Sequence, residues 1–154
     1  MIWHGAELTH PQTDSTFMKP NVIQGGCLCG SVRYEIAGQP HNITHCHCAD
    51  CRRSSGAPFV TWATFRRGDF RLLSGLPRGL RWAGRWRSFC PYCGTPLTFL
   101  TGPDADEIDV TVCSLDDPTS VTPDDHTWIE DRLPWIRLAD KLPTHGRRRL
   151  PRSA

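Results

Sequence analysis

Along this chain, apolar and polar residues alternate in short runs and seldom recur at helical spacing. Val32, Tyr34 and Ile36 alternate with polar neighbours, the two-residue period of a strand with one buried face. The run 59–65 is apolar, aromatic and β-branched, which predicts a second strand. Runs 70–73, 80–89 and 97–100 read the same way, and Ile108, Val110 and Val112 alternate again, with Cys113 closing that strand. Gly-Asp, Ser-Gly-Leu-Pro and Ala-Gly turns punctuate these runs. One short helical turn is predicted, over 49–54. Residues 1–20 are polar and unpatterned and predict a loose tail, with Met18 as an alternative start. Residues 146–154 form an Arg-rich tail assigned to solvent. No internal repeat is present. The pattern predicts one β-rich domain over 21–145.

Composition narrows the class. The 154 residues include 13 Gly and 13 Pro, which favours turns over long helices. A net charge of +2 is too small to argue for a nucleic-acid partner. The charges are nonetheless segregated: nine arginines and one acid, Asp69, fall within 52–87, whereas ten acids and no base fall within 104–131. That pattern fits either solvated faces or a basic rim for an anionic ligand. No window carries the roughly 18 apolar residues of a membrane span. The first twenty residues lack the basic start and apolar run of a signal peptide. A reducing cytoplasm is therefore the expected compartment, where eight cysteines are expected to bind metal or do chemistry.

Seven of the cysteines fall in three clusters. Cys27 and Cys29 form C-x-C within Gly-Gly-Cys-Leu-Cys-Gly. Cys46, Cys48 and Cys51 form C-x-C-x-x-C, and Cys90 and Cys93 form C-x-x-C within Cys-Pro-Tyr-Cys-Gly. A tight turn presents two thiolates to one metal, and structural zinc takes four in a tetrahedron. Pairing Cys27 and Cys29 with Cys90 and Cys93 completes such a closed site. A swapped pairing, with two of Cys46, Cys48 and Cys51 in the closed site, fits the spacing too. The remaining three cysteines give three ligands and an open position, the arrangement of a catalytic zinc. Alternatively a histidine closes that site; His45 and His47 flank Cys46, and His126 lies far along the chain. Three thiolates leave zinc with a net charge of about −1, which suits a soft fourth ligand such as a substrate thiolate. Cys113 reads as a buried, inert thiol.

Three stretches carry a family resemblance: Gly-Gly-Cys-Leu-Cys-Gly-Ser-Val-Arg-Tyr-Glu at 25–35, Cys-His-Cys-Ala-Asp-Cys-Arg-Arg-Ser-Ser-Gly-Ala-Pro-Phe at 46–59, and Phe-Cys-Pro-Tyr-Cys-Gly-Thr-Pro-Leu at 89–97. Weaker agreement follows in Ser-Leu-Asp-Asp-Pro at 114–118 and from His126 through Trp128, Trp135 and Asp140 to Pro143. Together they resemble the glutathione-dependent formaldehyde-activating enzyme family, whose domain is shared with centromere protein V. The resemblance implies a β-tent fold of twisted antiparallel sheets around zinc, like that of the Mss-type Rab exchange factor. It implies a structural zinc on Cys27, Cys29, Cys90 and Cys93 and a catalytic zinc on Cys46, Cys48 and Cys51. It supplies the substrate, glutathione with formaldehyde. Cys113 departs from the family pattern, where glycine is expected.

The expectation is a zinc-dependent carbon–sulfur lyase or synthase acting on a glutathione adduct such as S-hydroxymethylglutathione, with two zinc ions per chain. Arg52 and Arg53 directly follow the last cysteine of the open cluster and are available to hold a glutathione carboxylate, or else form a solvated helix end. His47 and His126 are the candidates for a general base. The rival reading is a non-catalytic zinc module that binds an acidic partner through its arginines.

Overall fold

A computed structural model describes residues 21–149. The expectations for 1–20 and for 150–154 lie outside the described residues. Strand β1 (Val22–Gly26) pairs antiparallel with β2 (Arg33–Ala37), which pairs with β5 (Phe70–Ser74) to form a three-stranded sheet. The second sheet has seven strands: β3 (Asn42–Cys46), β4 (Val60–Arg66), β6 (Arg78–Trp82), β7 (Arg85–Phe89), β8 (Pro96–Leu100), β9 (Glu107–Thr111) and β10 (Asp125–Thr127). Their order is β10-β3-β4-β9-β8-β7-β6, antiparallel throughout except that β10 runs parallel to β3. One α-helix, α1 (Ala49–Ser55), interrupts the strands. The chain is therefore mostly β, as its alternation predicts.

The alternation also decides which sheet faces meet. Tyr34 and Ile36 of β2 and Val32 just before it are fully buried. They pack with Ile43, Ala63, Phe65, Ile108 and Val110, which share one face of the large sheet through the register Ile43↔Ala63↔Val110 and Phe65↔Ile108. The core thus lies between the two sheets. The opposite face of the large sheet carries Thr44, Cys46, Val60, Trp62, Asp109, Phe99 and Arg87, and there a second, smaller apolar cluster gathers three of the cysteines.

Two expectations change. The run 80–89 is a hairpin, because Ala83 and Gly84, both at positive φ, fold it back on itself. Cys113 does not continue the strand. Thr111 ends β9, and a 3-10 turn over Val112–Ser114 buries Val112 and Ser114 while turning Cys113 to solvent. The thiol is exposed, which corrects the reading of a buried core cysteine. Two residues of the basic C-terminal stretch, Arg147 and Arg149, bond to the domain, while Gly146, Arg147 and Arg148 stay exposed. Trp128 N–H donates to the Arg147 carbonyl, and Arg149 Nε donates to the buried Asp125 carboxylate at 2.6 Å.

The segregated charges are partly neutralised within the chain. Arg85 pairs with Asp50 at 3.2 Å, Arg71 with Glu35, and Arg33 with Asp116 at 2.7 Å. Arg67 donates to the Pro103 carbonyl at 2.6 Å.

Gly75, at φ 74°, turns β5 toward β6 against the backbone of Ser31, where an added Cβ would overlap the Ser31 carbonyl. Gly84, at φ 78°, faces open space. Gly75→Ala should therefore cost about 3 kcal/mol or more, and Gly84→Ala only about 1 kcal/mol, the cost of a side chain at positive φ. Denaturant melts of the two variants check this; equal losses would show that the turn does not bear on the Ser31 loop.

Candidate functional site

The first cysteine group is built from two turns 61 residues apart in the sequence. After β1, Cys27 N–H donates to the Val32 carbonyl and Gly30 N–H to the Cys27 carbonyl, closing a tight loop around Cys27 and Cys29. After β7, Cys90 N–H donates to the Thr95 carbonyl and Gly94 N–H to the Cys90 carbonyl, with Gly94 at φ 74°. Leu28 N–H donates to Thr95 Oγ1 at 3.1 Å and joins the two loops. The result brings Cys27, Cys29, Cys90 and Cys93 together with every sulfur within 4.8 Å of the others. Sulfur separations are 3.5 Å for Cys27–Cys29 and 3.7 Å for Cys29–Cys90. A tetrahedral zinc with bonds of about 2.3 Å separates its sulfurs by about 3.8 Å, so the donor set fits the ion in number, type and spacing. Val32 N–H donates to Cys27 Sγ at 3.2 Å, which disperses thiolate charge. The Thr95 hydroxyl and N–H pull the Cys93 thiol down to about 5. Cys27 and Cys90 belong to the main core, so this group is continuous with the packing between the sheets.

The second group sits where β3 meets α1. Cys46 is the last residue of β3. Cys48 is the N-cap of α1, extended at φ −60° and ψ 151°, and its Sγ accepts from Cys51 N–H at 3.3 Å. Cys51 follows in the first turn of the helix and is buried. This strand-to-helix turn gathers the three sulfurs within 4.8 Å. No histidine joins them among the described residues. His45 bonds Thr61 Oγ1 at 2.8 Å, and His47 points to His126. Two donors from the sheet reach Cys51 Sγ: Trp62 Nε1 at 3.4 Å and Arg87 Nη2 at 3.7 Å. Hydrogen bonds from the Cys46 and Cys48 thiols, then from Trp62 and Arg87, hold Cys51 well below its ordinary value, while hydrogen bonding with Cys48 and Cys51, then burial, pushes Cys46 up. The apolar wall is Val60, Trp62, Phe99 and Trp128.

Beside this turn lies a relay of side chains. Asp140 Oδ2 lies 2.9 Å from His126 Nε2, and His126 Nδ1 lies 2.9 Å from His47 Nε2. With His126 Nε2–H donating to the carboxylate, its Nδ1 accepts from His47 Nε2–H. The buried Nδ1 of His47 is then left without a partner. Burial, then the neighbouring His126, pushes His47 down to about 4, so its ring is neutral near pH 7. His45, His126 and Asp140 also place donor atoms within 4.8 Å of one another, but both nitrogens of His126 are already hydrogen-bonded.

Arg52 Nε donates to the His47 carbonyl at 3.2 Å. Arg52 and the exposed Arg53 line a cavity of about 280 Å³ with Gly56, Ala57, Pro58, Leu133 and Trp135. A residue absent from the sequence reading is Asp109. It shares a sheet row with Thr64 and Phe99, accepts from Thr64 Oγ1 at 2.6 Å, and is pushed up to about 6 by burial. Trp62, Arg87 and Asp109 reach this face only through cross-strand register. Strand alternation could have placed Trp62 on one face, but nothing in the sequence says which.

Among the described residues, no helix is long and apolar enough to cross a membrane. Comparison with curated proteins gives no match. A solved structural-genomics protein from Rhodobacter sphaeroides is similar, with 28% identity and a TM-score of 0.51 over 65% of this chain and 91% of that one. The family model described as glutathione-dependent formaldehyde-activating enzyme matches residues 22–131. That span contains all seven clustered cysteines, and the chain belongs to the glutathione-dependent formaldehyde-activating enzyme family.

Proposed function

We propose that this protein is a zinc-dependent carbon–sulfur lyase or synthase acting on a thiol adduct of glutathione type. In this reading Cys27, Cys29, Cys90 and Cys93 hold a structural zinc, and Cys46, Cys48 and Cys51 hold a second zinc at the reacting centre. The observation that carries it is the contrast between the two groups: four sulfurs at tetrahedral spacing in one, and in the other three sulfurs with no fourth ligand among the described residues. A purely structural module would close both.

When bound at the three-sulfur site, zinc supplies an electrophilic position for a thiolate or an aldehyde oxygen. The chain's own residues do the rest. Arg52 and Arg53 flank the cavity beside the site and hold a substrate carboxylate by charge-assisted hydrogen bonds. Trp62, Phe99 and Trp128 exclude water from one side of the sulfurs. In the synthetic direction the sulfur–carbon bond forms, the carbonyl π-bond breaks and the thiol proton ends on the new hydroxyl. The reverse direction returns thiol and aldehyde. Asp109, with a carboxyl near 6 on the same sheet face, holds or releases a proton near neutral pH and replaces His47 and His126 as the acid–base candidate. His47, which separates Cys46 from Cys48 in the sequence, serves instead through its hydrogen bond to His126, which anchors the turn between those two cysteines.

Metal analysis of protein made with adequate zinc should return two zinc ions per chain; one or none contradicts the two-site reading. Cys93→Ser should lose roughly 10 °C or more in Tm, because a closed zinc site contributes folding free energy. Cys48→Ser should keep its fold, lose one zinc and lose glutathione binding in calorimetry. Equal destabilisation of the two variants would make the second site structural.

The raised Asp109 carboxyl fixes a sign for pH dependence. Folding favours its neutral form, so its contribution to stability is fully present below about 4 and is lost as pH rises through about 6. Asp109→Asn removes that loss. The Tm of Asp109→Asn minus that of the wild type should grow between pH 4 and pH 6 and then level off. A constant difference would show that the carboxyl titrates normally.

A further inference from the structure

The strand most distant in the sheet from β3 that still touches the reacting centre is β7. Its Arg85 pairs with Asp50 of α1 at 3.2 Å, and its Arg87 reaches the next residue, Cys51. Arg87 is half-buried. Its guanidinium lies 4.8 Å from the centroid of the Phe99 ring and 5.8 Å from that of Trp62, while Nη2 lies 3.7 Å from Cys51 Sγ. Trp62 turns its indole N–H to the same sulfur at 3.4 Å. Neither Cys46 nor Cys48 has such a donor from the sheet among the described residues; the only N–H on Cys48 Sγ is that of Cys51 in the same turn.

Charge explains why one sulfur is singled out. Three thiolates around a divalent ion sum to −1, and the site is walled by Val60, Trp62, Phe99 and Trp128. A net charge against an apolar wall is costly unless a counter-charge lies close by. A fourth, anionic sulfur would raise the sum to −2. Arg87 lies against two aromatic rings, whose attraction for a cation keeps the charge beside the sulfur.

We propose that Arg87, assisted by Trp62, is the charge-balancing and positioning partner of Cys51, and that it thereby makes the three-sulfur site able to accept an anionic sulfur as its fourth ligand. This rests on the reading that Cys46, Cys48 and Cys51 hold a metal. Arg87 touches a ligand of the metal and is not itself a catalytic residue. Donors to a metal-bound sulfur lower the energy of its lone pairs and set the affinity of the site.

Cobalt(II) reports both effects without any assay of activity. The full-length protein is loaded with cobalt, and the contribution of the open site is the difference between wild type and Cys48→Ser. Arg87→Met should shift the sulfur-to-cobalt charge-transfer band of that site to lower energy and weaken its cobalt affinity about 10- to 100-fold, the usual cost of losing a hydrogen bond to a ligand. Arg87→Lys keeps the charge and should recover most of the band position. Trp62→Phe keeps the ring, loses the N–H and should give a smaller shift of the same sign; it also serves if Arg87→Met does not fold. An unmoved band in Arg87→Met or in Trp62→Phe overturns the proposal, and so does an Arg87→Lys variant as impaired as Arg87→Met, because the role would then be packing. Identical spectra for wild type and Cys48→Ser would mean that the three-sulfur site takes no metal; the parent reading then fails and this one with it.

Discussion

Four sulfurs within 4.8 Å of one another join two loops that are 61 residues apart in sequence, and the rest of the architecture is organised around that junction. One loop ends the first strand of the small sheet. The other connects β7 to β8 in the large sheet. Bringing them together brings the two sheets together, with Cys27 and Cys90 already part of the core between them. The hydrogen bond from Leu28 N–H to Thr95 Oγ1 and the glycine turns shape each loop, but they do not by themselves oppose the entropy of closing so long a segment. A metal bridging the four thiolates would, because its binding free energy would become folding free energy.

The second group needs the first. Cys46 ends β3, the strand next to one edge of the large sheet, and Cys51 lies in the first turn of the helix that follows, so their separation is set locally by the strand-to-helix turn. The surroundings are set non-locally. Trp62 comes from β4, Phe99 from β8 and Arg87 from β7, and β7 runs directly into Cys90 of the closed group. The closed site thus fixes the wall of the open one. In the reading proposed, the difference between the two follows from ligand count: four thiolates would complete a coordination shell and hold structure, and three would leave it to be finished by a substrate, beside two arginines and a cavity of about 280 Å³.

What the sequence made legible is what is local. Cysteine spacing showed which thiols share a turn, because a turn of three or four residues leaves little freedom in where its ligands point. Alternation at Tyr34–Ile36 and Ile108–Val112 found strands whose two faces differ sharply in burial. The short strands β1 and β3, with glycines and histidines among their residues, gave no such contrast. β10 was hidden for another reason: three residues carry no period, and its parallel pairing with β3 depends on a register some eighty residues away. Cys113 misled because alternation was carried two residues past the point where a 3-10 turn ends the strand. Trp62, Arg87 and Asp109 converge on the open site across strands, and no linear pattern encodes that convergence.

X-ray absorption at the zinc edge tests the central claim, that one site is closed by four protein sulfurs and the other is left one short. Averaged over both ions, the account predicts about 3.5 sulfur neighbours per zinc in the protein alone, rising to about 4 when glutathione is added. Four sulfurs before glutathione, or an average that glutathione leaves unchanged, would contradict it.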